Sequence, residues 1–156
     1  MERLRSIDAT LVSSDDRSTV RVVAQTEHGY RGAVELPSGI SVGANEAKLV
    51  LPEQAIAVIR DTVAPAVIGS DVLEQRSFDE RLMALDATSD RSVLGANSLL
   101  PVSLAVCRAA AAALNRALYT QISELAETAP ALPTLVQVMI EGGAHAPASG
   151  ISLQEC

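Results

Sequence analysis

Ile7-Asp8-Ala9-Thr10-Leu11 and, past a polar turn at Ser13 to Arg17, Val20-Arg21-Val22-Val23-Ala24 decide the fold, because each run sets apolar residues at every second position. Such alternation buries one face of a strand and leaves the other wet. His28-Gly29 then turns the chain into a third run, Tyr30 to Leu36. Three consecutive strands with connections this short predict an antiparallel meander with one covered face.

The cover has to come from the chain past Leu36. Ser38-Gly39-Ile40-Ser41-Val42-Gly43, after Pro37, reads as a loop, since glycines and small hydroxyls favour turn geometry. From Leu51 the period becomes helical: Pro52 suits a first helical position, and Ile56, Ile59 and Val63 follow until Pro65 weakens the helix. Asp71 with Glu74 reads as a capping box ahead of Phe78, Leu82 and Met83. Asn97 or Ser98 is expected to cap the longest helix, with Pro101 in its first turn and Val102, Val106, Ala109, Ala110 and Ala113 along it. Leu118, Ile122 and Leu125 mark a shorter helix, Pro130 and Pro133 bound a linker, and Val136 to Ile140 is predicted to be a buried strand running into Gly142-Gly143. The expected division is a domain over residues 1–130 and a linker with the start of another over 131–156. No internal repeat occurs.

Composition narrows the function. At 156 residues and 48% hydrophobic content the chain can bury a core. It has no Trp, one Phe and two Tyr, so packing rests on Ala, Val, Leu and Ile and no platform for stacking bases exists. A net charge of −7, with Lys48 as the single lysine, also argues against nucleic acid, whose phosphates are bound by clustered Lys and Arg. Cys107 and Cys156 give neither a disulfide framework nor metal-ligand spacing and fit a reducing cytoplasm. The start Met1-Glu2-Arg3-Leu4-Arg5 lacks the apolar core of a secretory signal, and the apolar stretch near Ala109 to Leu114 is too short for a membrane span. A soluble, cytoplasmic protein is expected.

Taken singly, the loops are weak signals. The Pro37 to Ser41 loop is first of all a turn. Gly142-Gly143 before His145 is stronger, because backbone without side chains lets a ligand approach and histidine can donate to an anion near neutral pH, although a surface histidine in a loop explains it equally well. Glu155 alone reads as a solvated carboxylate.

Order and context add what the single loops lack. Pro37-Ser38-Gly39-Ile40-Ser41-Val42-Gly43 with Glu46-Ala47, Gln75 with Asp79, Asp86-Ala87-Thr88, Leu94-Gly95-Ala96-Asn97, Val102-Ser103-Leu104-Ala105, Leu118-Tyr119, Gly142-Gly143-Ala144-His145-Ala146 and Gln154-Glu155 occur in the order of one family. From about Ile7 to Glu155 the chain resembles the N-terminal domain of enolase, phosphopyruvate hydratase. The resemblance implies an α+β capping domain, a three-stranded antiparallel meander followed by a helical bundle, with the start of a β/α barrel at the C-terminus. It implies dehydration of 2-phosphoglycerate to phosphoenolpyruvate in glycolysis with Mg²⁺, in which metal charge stabilises a dianionic intermediate while a lysine removes a weakly acidic proton. By the family's pattern Ser41 lies on a closing loop and ligates the second Mg²⁺, His145 lies near the substrate phosphate, and Gln154 and Glu155 contact substrate. The resemblance implies that Glu155 is the catalytic residue, helping at the departing hydroxyl.

Departures accompany the matches. Asp15 stands where the family has an arginine at its dimer contact, so a homo-oligomer of the family's kind is in question. Val42 replaces the threonine of the closing loop, the Arg-Asp expected after Leu49 is missing, and Glu141 replaces an asparagine before the glycine pair. The family's lysine base, barrel glutamate and metal carboxylates belong to sequence past position 156. The chain is therefore expected to be truncated and inactive alone, completed by a barrel-domain polypeptide; the competing expectations are a non-catalytic enolase-like interaction module and an incomplete fragment.

Overall fold

A computed structural model describes residues 1–14, 17–36, 39, 43–143 and 145–153 of the chain. Strands β1 (Leu4–Ser14), β2 (Arg17–Thr26) and β3 (Arg31–Glu35) form an antiparallel sheet in the order β1-β2-β3, as the alternation predicts. Val20, Val22 and Ala24 of β2 are buried, as is Val34, which lies opposite Val22 on β3. Gly29, at φ +88°, makes the turn into β3. β1 begins earlier than the pattern suggests, because Leu4 N–H donates to the Ser70 carbonyl at 2.9 Å and the Leu4 carbonyl accepts from Gly69 N–H at 2.8 Å.

Helices α1 (Pro52–Val58), α2 (Ala64–Val67), α3 (Gln75–Leu85), α4 (Ala96–Ala113) and α5 (Leu118–Leu125) come next. A π-helical turn, Ile59–Val63, joins α1 to α2. The Ala64 N–H reaches back five residues to the Ile59 carbonyl, and this widened turn admits the Pro65 ring, which has no N–H to give. The helix thus runs past Pro65 and buries Ala55, Ile59, Val63 and Val67.

Three local expectations are corrected. Asp71 and Glu74 form no capping box: Asp71 Oδ1 accepts from Glu2 N–H at 3.0 Å and Leu73 N–H at 3.1 Å, and α3 starts without a side-chain cap. Asn97 and Ser98 lie inside α4, whose N-cap is Gly95 at φ +85°, so Pro101 sits in the helix interior and not in its first turn. Residues 131–140 form no strand; Leu132, Leu135, Val136 and Met139 are exposed. A buried strand needs a neighbouring strand to pair its backbone groups, and the one sheet among the described residues is β1-β2-β3. The start of a barrel is therefore no part of the described fold.

α4 is the central helix. Val102, Ala105, Val106, Ala109 and Ala110 are buried where it meets β2, β3, α1, α3 and α5. It is long and apolar enough to cross a membrane by length and composition, but 61% of that window is buried within the fold, as in a core helix. Alanines and Gly32 permit a close approach, for a Cβ on Gly32 would lie 2.0 Å from the Ala105 carbonyl oxygen. α5 keeps its predicted place, yet Tyr119 and Ile122 are exposed and Gln121 is its buried residue.

Candidate functional site

Of the residues singled out from the sequence, His145 lies within the described structure; Ser41, Gln154 and Glu155 lie outside the described residues. Glycine geometry builds the His145 loop. Gly143 has φ +58°, and a Cβ on Gly142 would lie 2.4 Å from the Leu153 carbonyl oxygen and 2.6 Å from that of Ile151. The loop folds on itself: Gly143 N–H donates to the Ile151 carbonyl at 2.9 Å, and His145 N–H to the Gly142 carbonyl at 3.2 Å. The His145 imidazole is mostly covered, with Nδ1 3.4 Å from Glu141 Oε1. The carboxylate that replaces the family's asparagine is thus an ion-pair partner for this histidine whenever the ring is protonated.

The two ends of the loop that carries Ser41 are fixed. On one side Leu36 N–H donates to the Val20 carbonyl at 3.1 Å, and the Thr19 hydroxyl donates to the Leu36 carbonyl. On the other, Glu46 Oε1 accepts from Gly43 N–H at 3.0 Å while Glu46 N–H donates to the Gly43 carbonyl at 3.2 Å, which closes a tight turn. Asn97 then clamps the chain: Val50 N–H donates to Asn97 Oδ1 at 3.0 Å, and Asn97 Nδ2 donates to the Val50 carbonyl at 2.8 Å. Ala96 N–H donates to the Lys48 carbonyl at 2.8 Å beside it.

Asp86 organises the connection that presents Gly95 and Asn97. It is buried and accepts from Leu94 N–H at 2.8 Å, Val93 N–H at 3.2 Å, and both the hydroxyl and the N–H of Thr88. The Leu94 N–H above all, then the Thr88 hydroxyl, hold its carboxyl below the usual carboxylate range. The Asp86-Ala87-Thr88 and Leu94 to Asn97 motifs are therefore one device.

A second device ties α3 to α4. Gln75 Nε2 donates to Asp79 Oδ1 at 3.0 Å and Ser103 Oγ at 3.2 Å, and Ser103 Oγ donates to the same Asp79 oxygen at 2.7 Å. Gln75 and Asp79 share one motif, four residues apart on α3; Ser103 comes from another, and its contact with them was not readable from spacing. Asp79 and Ser103 border an open, apolar cleft of about 380 Å³, walled by Leu82, Met83, Leu99 and Leu100.

Among the described residues no group of three or more His, Cys, Asp or Glu could hold a metal ion. Mg²⁺ takes oxygen ligands in octahedral array, commonly with carboxylate. These residues do not make such a site by themselves.

A family model described as "Enolase, N-terminal domain" matches residues 5–122. Enolase of Anaplasma phagocytophilum (strain HZ) is 36% identical over 156 aligned residues, which cover 93% of this chain and 36% of that protein. Enolase of Acidothermus cellulolyticus (strain ATCC 43068 / DSM 8971 / 11B) is 38% identical over 157, covering 93% of this chain and 35% of that protein. The chain spans about a third of the length of these relatives.

Proposed function

The chain belongs to the enolase family through its N-terminal domain, and from that premise we propose that it is the capping domain of a phosphopyruvate hydratase, serving the dehydration of 2-phosphoglycerate to phosphoenolpyruvate in glycolysis, in the cytoplasm. In this reading residues 1–130 are the capping domain, and 131–156 are the linker and the beginning of a barrel domain whose remainder lies outside this sequence. The lysine base, the barrel glutamate and the metal carboxylates come from the remainder of that barrel, and Mg²⁺ supplies charge to stabilise the intermediate. Ser41 would offer this chain's one metal contact, His145 would donate to the substrate phosphate, and Gln154 and Glu155 would touch substrate, Glu155 beside the departing hydroxyl.

The Asn97 clamp on Val50 carries the proposal. A loop that closes over substrate needs rigid ends and a middle free to move. Leu36 is fixed to β2 and Val50 to α4; Glu46 and Asn97 bond directly to the residues that flank the Ser41 loop, and Asp86 orders the connection that presents Asn97. Hinges held this firmly support a lid more than a plain surface turn.

The first test is docking. Mixed with the barrel portion of a full-length relative, the chain should sediment as a one-to-one complex and lose dye-accessible apolar surface, because Leu132, Leu135, Val136 and Met139 would find a partner. No complex at tens of micromolar would contradict the reading. One observation favours a non-catalytic interaction module instead: Glu141 meets the histidine that a phosphate would otherwise engage. Docking without any turnover would select that second reading.

A further inference from the structure

β3 is an edge strand. Thr26 N–H donates to the Tyr30 carbonyl at 2.9 Å and Leu36 N–H to the Val20 carbonyl at 3.1 Å, while the register sets Ala24 opposite Gly32 and Val22 opposite Val34. Pairs that exchange bonds recur at every second residue of an antiparallel ladder. Gly32 and Val34 therefore spend their backbone groups on β2, and the N–H and C=O groups of Arg31, Ala33 and Glu35 point outward. Among the described residues nothing pairs them.

Two adjoining clefts, of about 350 and 250 Å³, run along this edge and share Ala33 and Arg108. Small residues, Ala33 on the strand with Ala111 and Ala112 on α4, leave room beside the backbone. The rim is basic in a chain of net charge −7: Arg21, Arg31, Arg108 and Arg116 line it. Arg21 is offset by Glu35 at 3.6 Å and Arg116 by an ion pair with Glu124. Arg31 and Arg108 are exposed and have no carboxylate partner among the described residues.

We propose that β3 is a docking edge for an extended acidic segment of a partner protein, which adds as a fourth strand and sets its carboxylates against Arg31 and Arg108. The free backbone groups supply main-chain pairing, as in other strand-addition complexes, and the arginines supply charge complementarity. Arg31 extends from the strand itself and Arg108 from α4, so a run of consecutive acids suits the edge better than one isolated carboxylate. The reachable segment is short, since β3 has five residues.

The test uses the 156-residue chain and a fluorescein-labelled peptide of repeated Glu-Glu-Val, with a Lys-Lys-Val counterpart. Fluorescence anisotropy should report binding of the acidic peptide alone, and hydrogen exchange should slow at the Ala33 and Glu35 amides. Ala33→Pro removes one outward donor without touching the ladder to β2, which an edge strand tolerates. It should weaken binding about tenfold, as should Arg108→Glu, with the thermal midpoint of each variant unchanged. Equal binding by Ala33→Pro, or by the lysine peptide, would overturn the proposal. So would displacement by millimolar inorganic phosphate or by oligothymidylate, which would make the edge a general anion or nucleic-acid site. Amide protection that rises with protein concentration in the absence of peptide would assign the edge to a second copy of the chain and overturn it equally.

Discussion

Gly32→Ala would place a methyl carbon 2.0 Å from the Ala105 carbonyl oxygen, 2.5 Å from the Ala109 nitrogen and 2.8 Å from Arg108 Cβ. Ordinary carbon contacts lie at about 3.5–4.0 Å. Two of the three atoms are helix backbone, so no side chain can swing aside, and β3 would have to withdraw from α4 by more than an ångström. Withdrawal loosens Val34, Ala105 and Ala109, all buried at this interface. Overpacking typically costs about 1–3 kcal/mol, and a backbone obstacle puts this case at or above the upper end. The alanine recovers about 0.4–1 kcal/mol by restricting the unfolded chain. A net loss of about 2–3 kcal/mol results. At about 2–4 °C per kcal/mol for a chain of this size, the thermal midpoint should fall by about 4–12 °C. Urea unfolding followed by far-ultraviolet circular dichroism reads the loss directly. A variant as stable as the parent, or more stable, would refute the close packing of β3 on α4.

Asn97→Ala should cost about 1–3 kcal/mol, since it leaves both backbone groups of Val50 without their partner, and should speed proteolytic nicking between residues 36 and 50; unchanged nicking would mean that the clamp does not hold the loop. Folding depresses the Asp86 carboxyl, chiefly through the Leu94 N–H, so its contribution is complete above the unfolded value near about 3.9 and is lost as pH falls through the lower folded one. Glu2, held low first by the Thr26 hydroxyl, acts in the same sense. Stability should therefore decline with acid below about pH 4, and Asp86→Asn should make that decline shallower in a urea-titration series, an identical slope counting against the assignment.

The sheet was legible because β2 sets apolar residues at every second position: Val20, Val22 and Ala24 face the core, and a period of two has no helical counterpart. Helix ends were less legible. Asp71 has the right neighbours for a cap, but the Glu2 N–H, distant in sequence, takes its carboxylate; Asn97 has the composition of a cap and is used across the fold on Val50. Pro65 carries a local rule against helix that a π turn satisfies at the cost of one wider loop of backbone. Val136 to Ile140 has the composition of a buried strand, but composition does not provide the neighbouring strands that would bury it. At the candidate site, the glycine pair marked the His145 loop because Gly142 leaves no space for a side chain. The contact of Ser103 with the Gln75-Asp79 pair could be found only once α3 and α4 were packed together.

Formation of the enol product from 2-phosphoglycerate, followed by its absorbance with millimolar Mg²⁺, tests the capping-domain reading most directly. The chain alone should give no turnover, and the chain mixed with a barrel polypeptide that begins after Gln154-Glu155 should give activity that neither gives separately. Ser41→Ala and Glu155→Gln should each lower that activity, the second through kcat. A stable mixture with no activity, or with activity indifferent to both substitutions, would contradict the capping-domain role.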